Sequence, residues 1–237
     1  MTEKQIKQAD VIIACDFSSK EEVLQFLAKF GEERPFVKIG MELFYREGPD
    51  IVRLLKQRGH RIFLDLKLHD IPNTVYRAMK NIAQLGVDMT NVHAAGTIVM
   101  MQEAKRAIVE SGNQTLLLAV TQLTSTSEDV MHEELWIARS MEETVQQYAL
   151  NTQKAGLDGV VCSPLEASLV AQACGAAFVT VTPGIRFADG ESGDQVRVTT
   201  PARAKEIGSH YIVVGRPVTG AADPLAAYLR CRKEFLG

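Results

Sequence analysis

Residues 61–75 read RIFLDLKLHDIPNTV. The first half alternates as a strand does, with successive side chains on opposite faces. Ile62, Leu64, Leu66 and Leu68 therefore share one side, and Phe63, Asp65 and Lys67 share the other. Pro72 suits the first turn of a following helix, where the N–H it lacks would have had no partner. A carboxylate and an ammonium on an inner strand face are costly unless they are paired and hydrogen-bonded. Asp65, Lys67 and Asp70, gathered within this one stretch, are the sharpest functional signal in the chain.

A strand feeding a proline-opened helix is one beat of a rhythm that the rest of the chain keeps. Strands are expected at 11–17, 36–43, 88–94, 115–124, 159–163, 178–182 and 211–215. Helices are expected from about residue 18 to 30 and at 49–58, 71–85, 98–109, 141–154, 166–173, 201–206 and 224–235. Ser18 reads as the first helix's N-cap, with Glu21 as its capping-box partner. Consecutive parallel strands need helical crossovers, so the alternation implies a parallel sheet. Eight such units in 237 residues favour a closed (β/α)8 TIM barrel, one domain over 1–237, rather than an open doubly wound sheet. The stretches 125–138 and 183–198 exceed an ordinary strand-to-helix loop and read as lid or ligand loops.

Hydrophobic residues make up 46% and charged residues 23%, enough for a large core and against disorder. A net charge of −3 argues against nucleic acid or an anionic membrane as the main partner, so any anionic ligand must be held by a few local cations. Cys15, Cys162, Cys174 and Cys231 are scattered and read as reduced thiols of a cytoplasmic protein, three of them core filler. The polar opening MTEKQIKQAD lacks a signal peptide's apolar region, and no apolar run approaches the roughly 20 residues of a membrane span.

Barrel active sites lie at the C-terminal ends of the strands. Those ends carry Asp16, Lys38, Asp65 with Lys67, His93, Thr124, Arg186 and Arg216. Core strands do not ordinarily end in charges facing one cavity, and it is this convergence that points to a site. Asp70 lies past the strand end, which leaves open whether it caps the helix at Pro72 or reaches another subunit. Barrels commonly hold phosphate on the loops after strands seven and eight. Here those loops carry Thr182-Pro183-Gly184-Ile185-Arg186 and Gly215-Arg216-Pro217. His60, His69, His93, His132 and His210 show no metal-ligand spacing. His60 and His69 read as solvent-facing, and His93 as a hydrogen-bonded rim residue.

The motifs FLDLKLHDIPNT (63–74), ACDF (14–17), VKIG (37–40), QLTS (122–125), TPGIR (182–186), GDQVRV (193–198), TPARA (200–204) and VVGRPVT (213–219) span nearly the whole chain. Together they resemble the orotidine 5′-monophosphate decarboxylase family. The DxKxxD element alone is shared with phosphosugar barrels that need a divalent metal, and the other motifs make the narrower likeness. The resemblance implies decarboxylation of orotidine 5′-monophosphate to uridine 5′-monophosphate and CO2 by a homodimer with no cofactor or metal. It implies that Asp16 and Lys38 bind the ribose hydroxyls, and that Lys38, Asp65, Lys67 and Asp70 form the charged catalytic array. Asp70 would be donated across the dimer interface, with Ile71 and Thr74 travelling beside it. Thr124 and Ser125 would lie by the nucleotide, Ser125 reading the pyrimidine amide. Pro183 would contact the substrate, and Arg186, Gln195, Gly215 and Arg216 would surround its phosphate, Gln195 from a closing loop. Phe187-Ala188, where a proline is frequent, and His210, where an aspartate is common, depart from the pattern.

Overall fold

The structure, a computed structural model, describes residues 9–189 and 199–237. The strands are β1 (Asp10–Ala14), β2 (Phe36–Gly40), β3 (Ile62–Leu68), β4 (Met89–His93), β5 (Leu116–Val120), β6 (Gly159–Val161), β7 (Val179–Thr182) and β8 (Tyr211–Val214). Each pairs in parallel with the next, and β8 returns to β1 to close the barrel. Around it run α1 (Lys20–Ala28), α2 (Met41–Glu47), α3 (Pro49–Gln57), α4 (Pro72–Gln84), α5 (Thr97–Glu110), α6 (Glu128–Glu133) and α7 (Met141–Lys154). The circuit continues with α8 (Ala167–Cys174), α9 (Pro201–Ile207), the one-turn α10 (Arg216–Thr219) and α11 (Pro224–Leu236). The expected (β/α)8 barrel is the observed fold. No helix among the described residues is long and apolar enough to cross a membrane.

Period-two alternation sorts the strand side chains onto two faces. Ile12, Phe36, Phe63, Met89, Leu118, Val181, Tyr211 and Val213 point inward and fill the barrel as one cluster. Val11, Ile13, Val37, Ile39, Ile62, Leu64 and Leu66 point outward and meet the helices in a second, larger cluster. The interior is therefore packed apolar matter rather than a pore, and it floors whatever sits at the strand C-termini. Cys15, Cys162 and Cys231 are buried and Cys174 is half-buried, in keeping with core-filling thiols.

The structure corrects the expected boundaries where local chemistry wins. Ser19, not Ser18, caps α1, its side chain accepting the Glu22 N–H, while Ser18 instead donates to the Glu22 carboxylate. β2 stops at Gly40, and Met41–Leu43, expected to finish the strand, open α2 instead. Residues 125–138 contain the short helix α6, capped by Ser127. β6 ends at Val161 because Ser163 and Glu166 form a capping box that starts a 3-10 turn. His60, read as solvent-facing, is 5% exposed, and its Nδ1 lies 3.0 Å from the Pro35 carbonyl oxygen. Burial, opposed by that bond and helped by Arg34 and Arg58, lowers its pKa.

Gly159 leaves no room for a side chain between β6 and β7, because a Cβ built there would collide with the Val179 carbonyl on β7. Gly159→Ala is expected to destabilise the barrel by about 1–3 kcal/mol through overpacking. Urea unfolding checks this, and an unchanged midpoint would show that β6 and β7 can separate without loss.

Candidate active site

The mouth of the barrel is built around one carboxylate. Asp65 points inward from β3, and its carboxylate lies between two ammonium groups. Lys67 Nζ is 2.7 Å from Oδ1 and Lys38 Nζ is 3.4 Å from Oδ2. Lys38 also donates to Asp16 Oδ1 at 2.9 Å, extending the array to the end of β1. Gly40 makes the room, since a Cβ there would stand 3.2 Å from Asp16 Oδ1 and 3.4 Å from Lys38 Nζ. Burial by itself would raise the Asp65 pKa. Lys38 and Lys67, with hydrogen bonds from Lys67 and Asn91, outweigh it and hold the carboxyl below its ordinary range. Burial likewise disfavours the Lys38 ammonium, but Asp65 and Asp16 prevail and raise its pKa. The Lys38 side chain is only 12% exposed and turned into the mouth, towards Asp16 and Asp65, rather than out to solvent.

Lys67 reaches this position on unusual backbone. Its φ is +51°, in the left-handed region, although it lies within β3. Between Leu64 and Leu68 the register with β4 shifts, so that Leu64 faces Thr90 while Leu68 faces Val92. The Lys67 N–H donates to Asn91 Oδ1 at 2.8 Å, and Asn91 Nδ2 donates to Asp65 Oδ1 at 2.7 Å. Face alternation thus assigned Lys67 to the correct side, while giving no sign of the bulge beneath it.

A cavity of about 320 Å³ opens over this array. Of the residues expected at the site, Lys38, Asp65, Lys67, Thr124, Ser125 and Pro183 line it. Asp16 joins through Lys38 but is itself largely exposed. Arg186 lies on the loop after β7, Gly215 follows β8 and Arg216 opens α10, and all three are outside the cavity lining. The base of the first loop is tied by Arg186 N–H to Thr199 O and Thr199 N–H to Gly184 O, at 2.9 and 3.1 Å. Gln195 lies outside the described residues. Asp70, Ile71 and Thr74 are exposed and do not reach the cavity. Asp70 Oδ1 accepts the Ile71 N–H at 2.6 Å, and α4 has no side-chain cap, so helix capping is not Asp70's role.

Some cavity residues were not anticipated. Phe63, Val120, Leu123, Val161 and Val213 form an apolar wall, and the buried Gln122 adds an amide. Asn91 is 1% exposed and touches both Asp65 and Lys67. Strand parity could have found it, because it lies two residues before His93 on the same face of β4. His93 is half-buried at the rim, its ring centroid 5.7 Å from that of His69. Burial, then His69 and Lys67, lower its pKa against the pull of Asp65. His69 is exposed as expected. Among the described residues, no group of three or more His, Cys, Asp or Glu could hold a metal ion.

A closed parallel barrel with a buried charge array at its strand C-termini defines a (β/α)8-barrel enzyme. The chain belongs to the orotidine 5′-phosphate decarboxylase / HUMPS family, whose model matches residues 9–231. It is 57% identical over 231 residues to the orotidine 5′-phosphate decarboxylase of Geobacillus sp. (strain WCH70), covering 95% of this chain and 96% of that protein. It is 56% identical to the Bacillus caldolyticus protein of the same name, covering 95% and 94%. The solved structure of orotidine 5′-phosphate decarboxylase from Lactobacillus acidophilus superposes with a TM-score of 0.87 at 45% identity, covering 97% of this chain and all of that one.

The depressed Asp65 pKa sets a pH dependence. A carboxyl whose folded pKa lies below its unfolded one stabilises the fold above the unfolded value, and the effect is lost as pH falls through the folded value. Asp65→Asn leaves two desolvated ammonium groups without this partner and is expected to cost about 3–5 kcal/mol at neutral pH. The gap between variant and wild type should close only below about pH 4. Urea midpoints of both proteins across that range decide it, and a gap independent of pH would contradict the assignment.

Proposed function

We propose that the protein decarboxylates orotidine 5′-monophosphate to uridine 5′-monophosphate and CO2 without metal or organic cofactor. The observation that carries this reading is the Lys67 Nζ–Asp65 Oδ1 contact of 2.7 Å inside the cavity that Lys38 also lines. It occurs in a chain that matches proteins bearing this enzyme's name over nearly its whole length.

In the proposed reaction the bond from C6 to the carboxylate breaks, and its electron pair stays on C6. The pyrimidine ring delocalises that charge poorly, so a fixed cation beside C6 has most to contribute. The Lys67 ammonium supplies it and then transfers a proton to C6 as general acid, regaining one from water. Asp65 anchors Lys67 and crowds the departing carboxylate, while Lys38 and Asp16 hold the ribose hydroxyls. Thr124 and Ser125 face the pyrimidine, and the apolar wall keeps water from competing for the charge. Pro183 packs against the bound nucleotide, and Arg186, Gly215 and Arg216, with Gln195, grip the phosphate far from C6, so that binding there closes the loop over the ring.

The protein acts as a homodimer in this proposal, with Asp70, Ile71 and Thr74 completing the neighbour's site. Their exposure at the start of α4, outside their own cavity, supports that role.

The deciding assay follows loss of orotidylate absorbance with metal-stripped protein in excess EDTA. Full activity is expected, and activity that returns only with a divalent cation would favour a metal-dependent phosphosugar barrel. Lys67→Ala is expected to abolish turnover yet leave product-nucleotide binding nearly intact, so turnover within tenfold of wild type would refute its role. Mixing inactive Lys67→Ala and Asp70→Ala proteins should restore activity, because a mixed dimer contains one site with both residues intact. No recovery from verified mixed dimers would place Asp70 in its own subunit's site.

A further inference from the structure

We propose that Asn91 is a positioning residue for this reaction: its one amide holds both the Asp65 carboxylate and the Lys67 backbone, and so aims the Lys67 ammonium. The inference rests on the reading of Lys67 as proton donor.

The need for such a brace comes from β3. Four residue steps along β3, from Leu64 to Leu68, are matched by two along β4, from Thr90 to Val92. Such a bulge takes backbone groups out of the ladder, and buried ones must find other partners. Two β4 side chains supply them. Thr90 Oγ1 donates to the Leu64 carbonyl at 2.9 Å, and Asn91 Oδ1 accepts the Lys67 N–H at 2.8 Å. Thr90 is fully buried and Asn91 is 1% exposed, so water does not compete for either contact.

Lys67 itself sits at φ +51°. A side chain other than glycine holds that conformation only where its surroundings impose it. The bond to Asn91 is the imposing contact at the Lys67 amide. On its other side the same amide group donates to Asp65 Oδ1, the oxygen that Lys67 Nζ also uses. Asp65 Oδ2 is thereby turned towards Lys38. The carboxylate rotamer and the lysine backbone are thus locked by one planar group that presents an acceptor and a donor at fixed separation. Only this orientation of the amide satisfies both neighbours, since the Lys67 N–H cannot accept and the ionised Asp65 cannot donate. Aspartate at 91 would keep the acceptor and lose the donor, and alanine would lose both.

This distinction gives a test that a merely structural asparagine would not pass. The titratable groups facing the position are Asp65 and Lys67 on β3, Lys38 on β2, Asp16 beyond β1, and His69 and His93 at the rim. In Asn91→Asp the new carboxyl lies against Asp65, and two such neighbours do not both ionise readily. Its kcat should therefore fall about a hundredfold at mildly alkaline pH, the scale of a small misplacement, with KM little changed. Activity should recover as pH is lowered and the new carboxyl gains a proton to donate, on an acid-side limb that wild type lacks. Asn91→Ala should lose kcat to at least the same extent with no such recovery, while binding the product nucleotide within a few fold of wild type. Carbon-13 NMR of the Asp65 carboxyl supplies a readout that needs no turnover, and the Asp65 titration should move to higher pH in Asn91→Ala.

A kcat within threefold of wild type in folded Asn91→Ala overturns the proposal, as does an Asp65 titration unmoved by that change. If Asn91→Ala does not fold, the near-isosteric Asn91→Asp decides alone, and a pH profile parallel to wild type overturns the proposal. Wild-type protein that fails to decarboxylate orotidylate refutes the function instead, and the Asp65 titration still reports on the clamp.

Discussion

The carboxylate of Asp65 cannot be buried at the mouth of this barrel without compensation, and the compensation organises everything around it. Lys38 arrives from β2 and Lys67 from β3 itself, each within ion-pair distance of a different oxygen. Removing Asp65 takes the shared partner from both ammonium groups, which is far more costly than an exposed ion pair is worth. The arrangement therefore acts as a unit. Its geometry is set by the closure of the sheet, because Lys38 and Asp65 belong to adjacent strands whose register places Gly40 opposite Asp65.

The rest of the fold serves this constraint in layers. Below the array, inward side chains of the strands fill the barrel and give the charges a dry floor. Beside it, Phe63, Val120, Val161 and Val213 line the cavity, so electrostatic attractions there are less screened than at an open surface. β4 contributes no charge to the array but supplies Thr90 and Asn91, whose side chains replace ladder bonds that the β3 bulge gives up. A barrel rigid enough to hold a lysine in left-handed backbone is also one that can keep an ammonium aimed at a fixed point, which is what preorganised electrostatic catalysis requires.

Elements governed by one dominant physical rule are legible in the sequence, and those where two rules compete are not. Strand alternation sorted Ile62, Leu64 and Leu66 outward and Phe63 and Asp65 inward, because burial on both faces of a parallel strand leaves little freedom. Met41–Leu43 were expected to end β2 because apolar residues suit either structure, and they instead open α2, which buries Leu43. Ser18 and Ser19 are both chemically able to cap α1, and Ser19, on extended backbone, is the one whose hydroxyl accepts the Glu22 N–H. His60 seemed polar enough for solvent, yet the Pro35 carbonyl, distant in sequence, accounts for its burial. Asp70, aimed by no alternation rule, proved to bond its neighbour's N–H rather than cap a helix.

By itself the sequence determined the eight-unit barrel, the strand that carries the charges, and the side chains that converge at its mouth. Those follow from periodicity and from residue type, both local properties of the chain. Only the tertiary structure decided how the charges are shared: which oxygen of Asp65 each lysine takes, that Asp16 enters through Lys38, and that Asn91 braces the bulge under Lys67. These depend on register between strands that are distant in sequence and on backbone conformation at a single residue. A two-residue slip between β3 and β4 leaves the pattern of faces intact, so alternation alone carries no trace of it.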